Sequence, residues 1–344
     1  MRPLKTIALL AFSAFPVVLP GQSTMHQEKG WQQVCESSMA TPVEQPAITG
    51  SLAVDKLARC DESDLYYGIS GKPDYSAAMQ CGWYERAHPK PNEADMFYGP
   101  GVLTMLYANG QAVPRNYNMA IRFACENEWS AGAEMELRIG HLEALRDGRV
   151  EPGRFDLCDD ITSGLSMGFC TSIETGRADA RREQEIAAVA GRLPESSKAA
   201  FERLRAAEKA FEDARTGGEI DLSGTARGMF TLEEQKRLRD QFLINLQRFG
   251  AGDVPKASAS DLAALDRVLN SVYHDIQQAP SSQWQYGTVK PEGIRDTERN
   301  WVELSDAWVA FAHEAYPNLD GNAVRAQIIR LRLHQLRSLA PRVD

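Results

Sequence analysis

The chain is poor in the short motifs that announce chemistry. Its six cysteines contain no CxxC pair, and its six histidines contain no HxxxH pair, so the spacings that hold zinc are missing. No metal or other cofactor is expected. No P-loop and no GxGxxG turn is present, and no nucleophile elbow is expected. The Gly-rich stretch "RTGGEIDLSGTARGMF" lacks the Lys-Ser/Thr pair of a phosphate cradle, so it reads as a link between helices with Arg227 exposed on it. Beyond the first residues, no segment is apolar enough to span a membrane. The acid pairs Asp159-Asp160 and Glu233-Glu234 read as solvated helix starts. A hydrolase built on two carboxylates stays open as an alternative, because such residues need no proximity in sequence.

What is present begins with an export signal. Arg2 and Lys5 precede the apolar run "TIALLAFSAFPVVLP", and a Pro-Gly-Gln-Ser stretch comes after it. That layout predicts a signal peptide over residues 1–27, with an uncut anchor as the alternative. Formal net charge over the 344 residues is −9; cleavage would remove two basic residues and no acid, taking it to −11. An acidic chain disfavours nucleic acid and anionic lipid and suits a basic protein partner. An even number of cysteines in an oxidising compartment predicts three disulfides. Cys158 with Cys170, across a Gly-containing segment, is the first expectation, and Cys60 with Cys81 the second.

Two internal echoes organise the rest. Shifted by 42 residues, "MLYANGQAVPRNYNMAIRFACE" finds a partner: Gly68 aligns with Gly110, Asp74 with Asn116, Tyr75 with Tyr117 and Ala78 with Ala120. Each copy reads as a helix, a glycine C-cap, a polar N-cap and a second helix. The pattern resembles the Sel1 branch of tetratricopeptide-like repeats through Leu106, Tyr107, Gly110, Val113 and Ala120. Ala112 stands where that family has its second glycine, and Asn116 where it has aspartate. The resemblance covers roughly residues 60 to 145 and implies protein binding on a concave face. Tyr66, Tyr67 and Tyr107 are the residues such a groove would expose, with Arg227 as a further contact. The alternative is that these helices simply pack on the C-terminal half of the chain.

The second echo spans 100 residues. Phe201, Leu204, Ala207 and Phe211 align with Trp301, Leu304, Ala307 and Phe311, each set on one helical stripe. The preceding helices carry Ile186, Val189 and Leu193 in one copy and Leu262, Leu265, Leu269, Val272 and Ile276 in the other. The helix after the first stripe is expected to start at a capping box, Thr231 to Glu234, and to carry Leu238, Phe242, Leu246 and Phe249. The last helix carries Val324, Ile328 and Leu331. Through Asp266, Leu269, Asn270, Tyr273, Glu298, Trp301, Asp306 and Ala307, the second copy resembles the LprI-type lysozyme-inhibitor domain, without that family's cysteine. The first copy reads as a divergent relative.

The expected fold is all-α: a short helical repeat region over residues 28–150, a divergent helical unit over 151–255 and a second unit over 256–344. The expected function is non-enzymatic protein binding in the periplasm, with lysozyme as the partner the resemblance implies. The alternative is an envelope scaffold that holds an export or envelope-maintenance protein through its repeats.

Overall fold

The computed structural model describes residues 30–47, 52–89, 95–127 and 130–339. The expected signal, residues 1–27, lies outside them. The described residues form thirteen α-helices and no strand. In chain order these are α1 (Gly30–Met39), α2 (Val54–Leu57), α3 (Glu62–Tyr67), α4 (Tyr75–Ala87), α5 (Pro100–Asn109), α6 (Tyr117–Ala124) and α7 (Gly132–Arg146). The longer helices come next: α8 (Gly164–Ala190), α9 (Lys198–Gly218), α10 (Arg227–Gly250), α11 (Ala259–Gln278), α12 (Pro291–Ala315) and α13 (Gly321–Leu339).

The 42-residue echo is carried by the backbone. The helices α3 and α5 both end on a left-handed glycine, Gly68 (φ 63°) and Gly110 (φ 67°). The N–H of Asp74 donates to Leu65 O, and the N–H of Asn116 donates to Tyr107 O, the same bond 42 residues on. Each of these two residues then caps the following helix: Asp74 accepts from Ala77 N and Asn116 from Met119 N. Between Gly110 and Asn116, Ala112 also takes a positive φ, 61°, alone among the described non-glycine residues.

Three disulfides staple the first 170 residues. Cys35 is bonded to Cys125, Cys60 to Cys81, and Cys158 to Cys170. The first ties α1, which has no buried residue of its own, to the end of α6.

Two apolar cores result. The first gathers Tyr66, Met79, Phe97, Leu106, Phe123 and Leu142, and continues beyond residue 150 through Phe155, Leu157 and Ile173. The second gathers Ile186, Phe201, Phe211, Phe242, Leu269, Trp308, Phe311 and Ile328. The division between them falls inside α8, whose 27 residues span about 40 Å at 1.5 Å per residue. The start of α8 is fixed by α7. Glu134, with no solvent exposure, accepts from the N–H groups of Thr162 (3.0 Å) and Ser163 (2.7 Å) and from the Ser166 hydroxyl (2.8 Å). Burial alone would push this carboxyl's pKa up, but the hydrogen bonds from Thr162, Ser163 and Ser166 outweigh burial and hold it below its ordinary value.

In the second core, the two stripes offset by 100 residues pack on each other. The helices α9 and α12 run antiparallel: Phe201 meets Phe311 at one end (centroids 5.6 Å), and the Thr297 hydroxyl donates to Ala214 O (3.0 Å) nearer the other. At that far end Gly218 and Gly293 touch backbone to backbone, and a Cβ on Gly218 would sit 2.8 Å from Gly293 O. Trp308, 1% exposed, is the hub, with Phe242 and Phe249 of α10 both at 5.1 Å.

The α10 start differs from the expected one. The helix begins at Arg227, so Thr231 lies inside it and its hydroxyl donates back to Arg227 O (2.9 Å). Glu234 faces arginines instead of capping, because Arg215 (2.5 Å) and Arg237 both reach it. A capping box does form at α11, between Ser258 and Asp261.

Candidate functional site

The three tyrosines proposed as partner contacts are core residues. Tyr66 is 0%, Tyr67 5% and Tyr107 6% exposed. Tyr66 stands edge-on to Tyr67 (4.9 Å) and to Tyr75 (5.6 Å), while Tyr107 packs on Phe123 (5.4 Å). The physical reason is the segment after α7. Phe155 folds back so that its N–H donates to Asn109 Oδ1 (2.8 Å), and Asn109 Nδ2 donates to Phe155 O (2.8 Å) and to the Tyr66 hydroxyl (2.9 Å). The repeat helices thus spend their aromatic face on their own core. Arg227 is exposed, with its guanidinium donating to Gly224 O (3.1 Å).

The disulfide pairs Cys60–Cys81 and Cys158–Cys170 sit in different surroundings. Near the first, Cys60, Cys81 and Glu85 bring potential ligand atoms within 4.8 Å of one another, but the two sulfurs are bonded together and offer no thiolate. Beside this disulfide lies a buried carboxyl group, Glu62. Burial, reinforced by Glu85 and Asp95, pushes it up to about 9.

The second disulfide lines a cleft of about 570 Å³ where the first core meets the bundle. Its apolar wall is Ile161, Met167, Ile173 and Met229. Its polar groups are Asp156, Asp159, Glu174 and Arg177, with Tyr67 at the back. Asp156 and Arg177 are positioned from below. The Tyr67 hydroxyl donates to Asp156 Oδ1 (2.6 Å), and the same oxygen accepts from Cys158 N (3.0 Å), which locks the carboxylate. Arg177 donates to Tyr67 O and lies over the Tyr67 ring (5.6 Å). Burial, with the Asp156 carboxylate added, pushes the Tyr67 phenol up; partial burial and Asp156 likewise push Asp159 up. Three acids and Arg177 line the cleft, with Arg154 beside Asp156 and over the Tyr67 ring (6.0 Å), which leaves an acidic cleft with a thioether and aliphatic wall. Its chemistry suits a cationic side chain whose stem lies along apolar surface.

One string in this region went unused in the sequence. Gly164-Leu165-Ser166-Met167-Gly168 does spell GxSxG, contrary to the expectation of no such elbow. The match is one of letters. Ser166 lies in the first turn of α8 with no strand before it, is 3% exposed and donates to Glu134. A nucleophile elbow needs a strand-to-helix turn that lifts the hydroxyl clear.

A second carboxyl stands apart in the bundle. Glu208 lines two small cavities, about 40 Å³ and about 90 Å³, the first walled by Trp301, Trp308, Phe211 and Phe242. Burial, with Glu212 adding to it against Arg205, pushes Glu208 up to about 8. Nearby cations are already engaged: Arg205 with Glu183 (3.0 Å), and Arg239 with both oxygens of Glu212 (2.7 and 2.6 Å).

Fold and cleft together define an all-α protein, stapled by three disulfides, with an acidic cleft at the seam of two helical cores. No family model, curated protein or solved structure matches the chain. Among the described residues, no helix is long and apolar enough to cross a membrane.

Proposed function

We propose that this is an exported, periplasmic, non-enzymatic protein that binds a basic protein partner, and that the partner is of the lysozyme type. The observation that carries the reading is the acidic seam cleft, lined by Asp156, Asp159, Glu174 and Arg177 beside an apolar wall. The −9 charge of the chain supports it, since complementary charge steers encounter and adds on-rate at low salt. The three disulfides support an oxidising compartment. The LprI-like residues of α11 and α12 supply the lysozyme hypothesis. Tyr66, Tyr67 and Tyr107, the contacts offered for the scaffold reading, are buried and lend it no support.

The test is a lysozyme lysis assay with purified mature protein at low and at moderate salt. Inhibition at low salt that weakens at moderate salt is expected, and the variant D159N/E174Q, altered at two exposed cleft positions, should inhibit less. No inhibition at large molar excess in either salt sinks the proposal. Whole-chain variants are used because Phe155, Leu157 and Ile173 belong to the first core, so a cut at residue 150 would open it.

A further inference from the structure

The 100-residue echo breaks at one position. Phe201, Leu204 and Phe211 answer Trp301, Leu304 and Phe311, but the place of Trp308, the hub of the second core, is taken in the first copy by Glu208. At steps of three, four and three residues, Phe201, Leu204, Glu208 and Phe211 form the inward stripe of α9. An acid at such a position gives up hydration, a cost that a partner inside the protein normally offsets. Glu208 has none: among the described residues, no hydrogen bond or close ion pair reaches its carboxyl. A core position that breaks the packing rule without a return inside the chain is where a functional site is expected.

The other charged groups that line its two cavities are matched. Arg205 is paired with Glu183 of α8 (3.0 Å), and Lys209 with Asp213. Arg239 of α10 holds both oxygens of Glu212 (2.7 and 2.6 Å). Arg332 of α13 is shared between Glu219 (2.6 Å) and Glu298 (2.8 Å), and α12 brings only Trp301, Leu304 and Trp308. Once ionised, the Glu208 carboxylate is the charge left over. The cavity of about 40 Å³ that it lines lies between α9, α10, α12 and α13, with Trp301, Trp308, Phe211 and Phe242 as an aromatic wall. Two of these rings already draw cations: the Arg332 guanidinium lies over Phe211 (5.8 Å) and that of Arg205 over Phe242 (5.7 Å). Glu208, Gln241 and Leu331 keep part of their surface in solvent, so the cavity has a mouth. At about 10–15 Å³ for each water-sized group, it has room for roughly three or four.

We propose that the Glu208 cavity binds a small alkylammonium ion, a free solute of the trimethylammonium class, between the carboxylate and the aromatic wall. Its positive charge meets the one unbalanced acid. Its methyl groups lie against the rings, where the ring quadrupole attracts them and no hydrogen-bond acceptor is needed. Its few heavy atoms match the volume, and a longer chain does not fit. An inorganic cation is served poorly, because one carboxylate among apolar walls cannot replace its shell of oxygen ligands. The site uses no residue of the seam cleft.

The experiment titrates trimethylammonium chloride into the whole chain at constant ionic strength, following heat and the indole N–H resonances of Trp301 and Trp308. Potassium chloride and tert-butanol, a neutral compound of similar shape, serve as comparisons. Expected is saturable binding that shifts both resonances and is about tenfold or more tighter than for either comparison. Binding should also be tighter at about pH 8 than at about pH 6, because the ligand stays charged at both while Glu208, pushed up to about 8 by burial, gives up its proton only across that range. E208Q copies the protonated acid and should fold like wild type, yet lose about 30-fold or more in affinity. D159N/E174Q, altered in the seam cleft, should bind like wild type. No saturable binding, equal binding of potassium or tert-butanol, affinity retained in E208Q, or affinity lost in D159N/E174Q overturns the proposal.

Discussion

Arg332 of α13 and Glu219 at the end of α9 form a two-pronged ion pair, 2.6 and 2.9 Å, with both side chains wholly removed from solvent. Arg332 also donates to Glu298 of α12 (2.8 Å), and Glu219 is shared with Arg215, which reaches on to Glu234 of α10. Four helices from both copies of the second echo thus meet on one buried network. Replacing Arg332 by alanine strands Glu298 and leaves the buried Glu219 with Arg215 alone, and should cost ~3–5 kcal/mol. Lysine in its place should recover only part of that, because an ammonium cannot make the paired contacts. Urea unfolding of the two variants checks this; equal stability for R332A and wild type would show the network to be inert.

Trp308 is the packing counterpart of that polar hub. With Phe242, Phe249 and Phe311 around it and 1% exposure, W308A should lose ~3–5 kcal/mol. A loss below ~1 kcal/mol by the same measurement would contradict the core placement.

Ala112 is held at φ 61°, a conformation that costs an L-residue with a Cβ about 1–2 kcal/mol. A112G should therefore stabilise the protein, by about 0.5–1 kcal/mol once the extra freedom of glycine in the unfolded chain is counted. A120G, in the middle of α6 and fully buried, should destabilise by at least ~1 kcal/mol. Two substitutions of the same chemistry, eight residues apart, should move the midpoint in opposite directions.

Glu208, pushed up to about 8, and Glu62, pushed up to about 9, give the fold a pH dependence of definite sign. Both hold a proton in the folded state over a range where the unfolded chain has lost it. Their favourable contribution is full below the ordinary carboxylate range, near pH 4.5, and is lost as pH rises through 8 and 9. The protein should be more stable at about pH 6 than at about pH 9. In E62Q/E208Q the difference should shrink. Chemical unfolding at the two pH values decides it, and an unchanged slope in the double variant would assign the effect elsewhere.

The helices were legible because their signals are local. Gly68 and Gly110 mark two helix ends, Asp74 and Asn116 two starts, and the stripes at 201–211 and 301–311 two buried faces. What the stripes pack against was not legible, and the answer is each other. The tyrosines misled for a related reason. An aromatic at a repeat's helix end reads the same whether it lines a groove or a core, and only the return of Phe155 onto Asn109 decides between them. The cleft was dispersed over Tyr67, Asp156, Glu174 and Met229, which no spacing rule joins.

The helix that crosses from one core to the other sets how the molecule yields. Because α8 contributes Ile173 to the first core and Ile186 to the second, unfolding of the whole helix exposes apolar surface in both. The two cores should therefore melt together, and a protease that cuts near the middle of α8 would release no stable fragment. The same continuous rod passes beneath the acidic cleft, so a force applied there is delivered straight to the tryptophan-centred bundle.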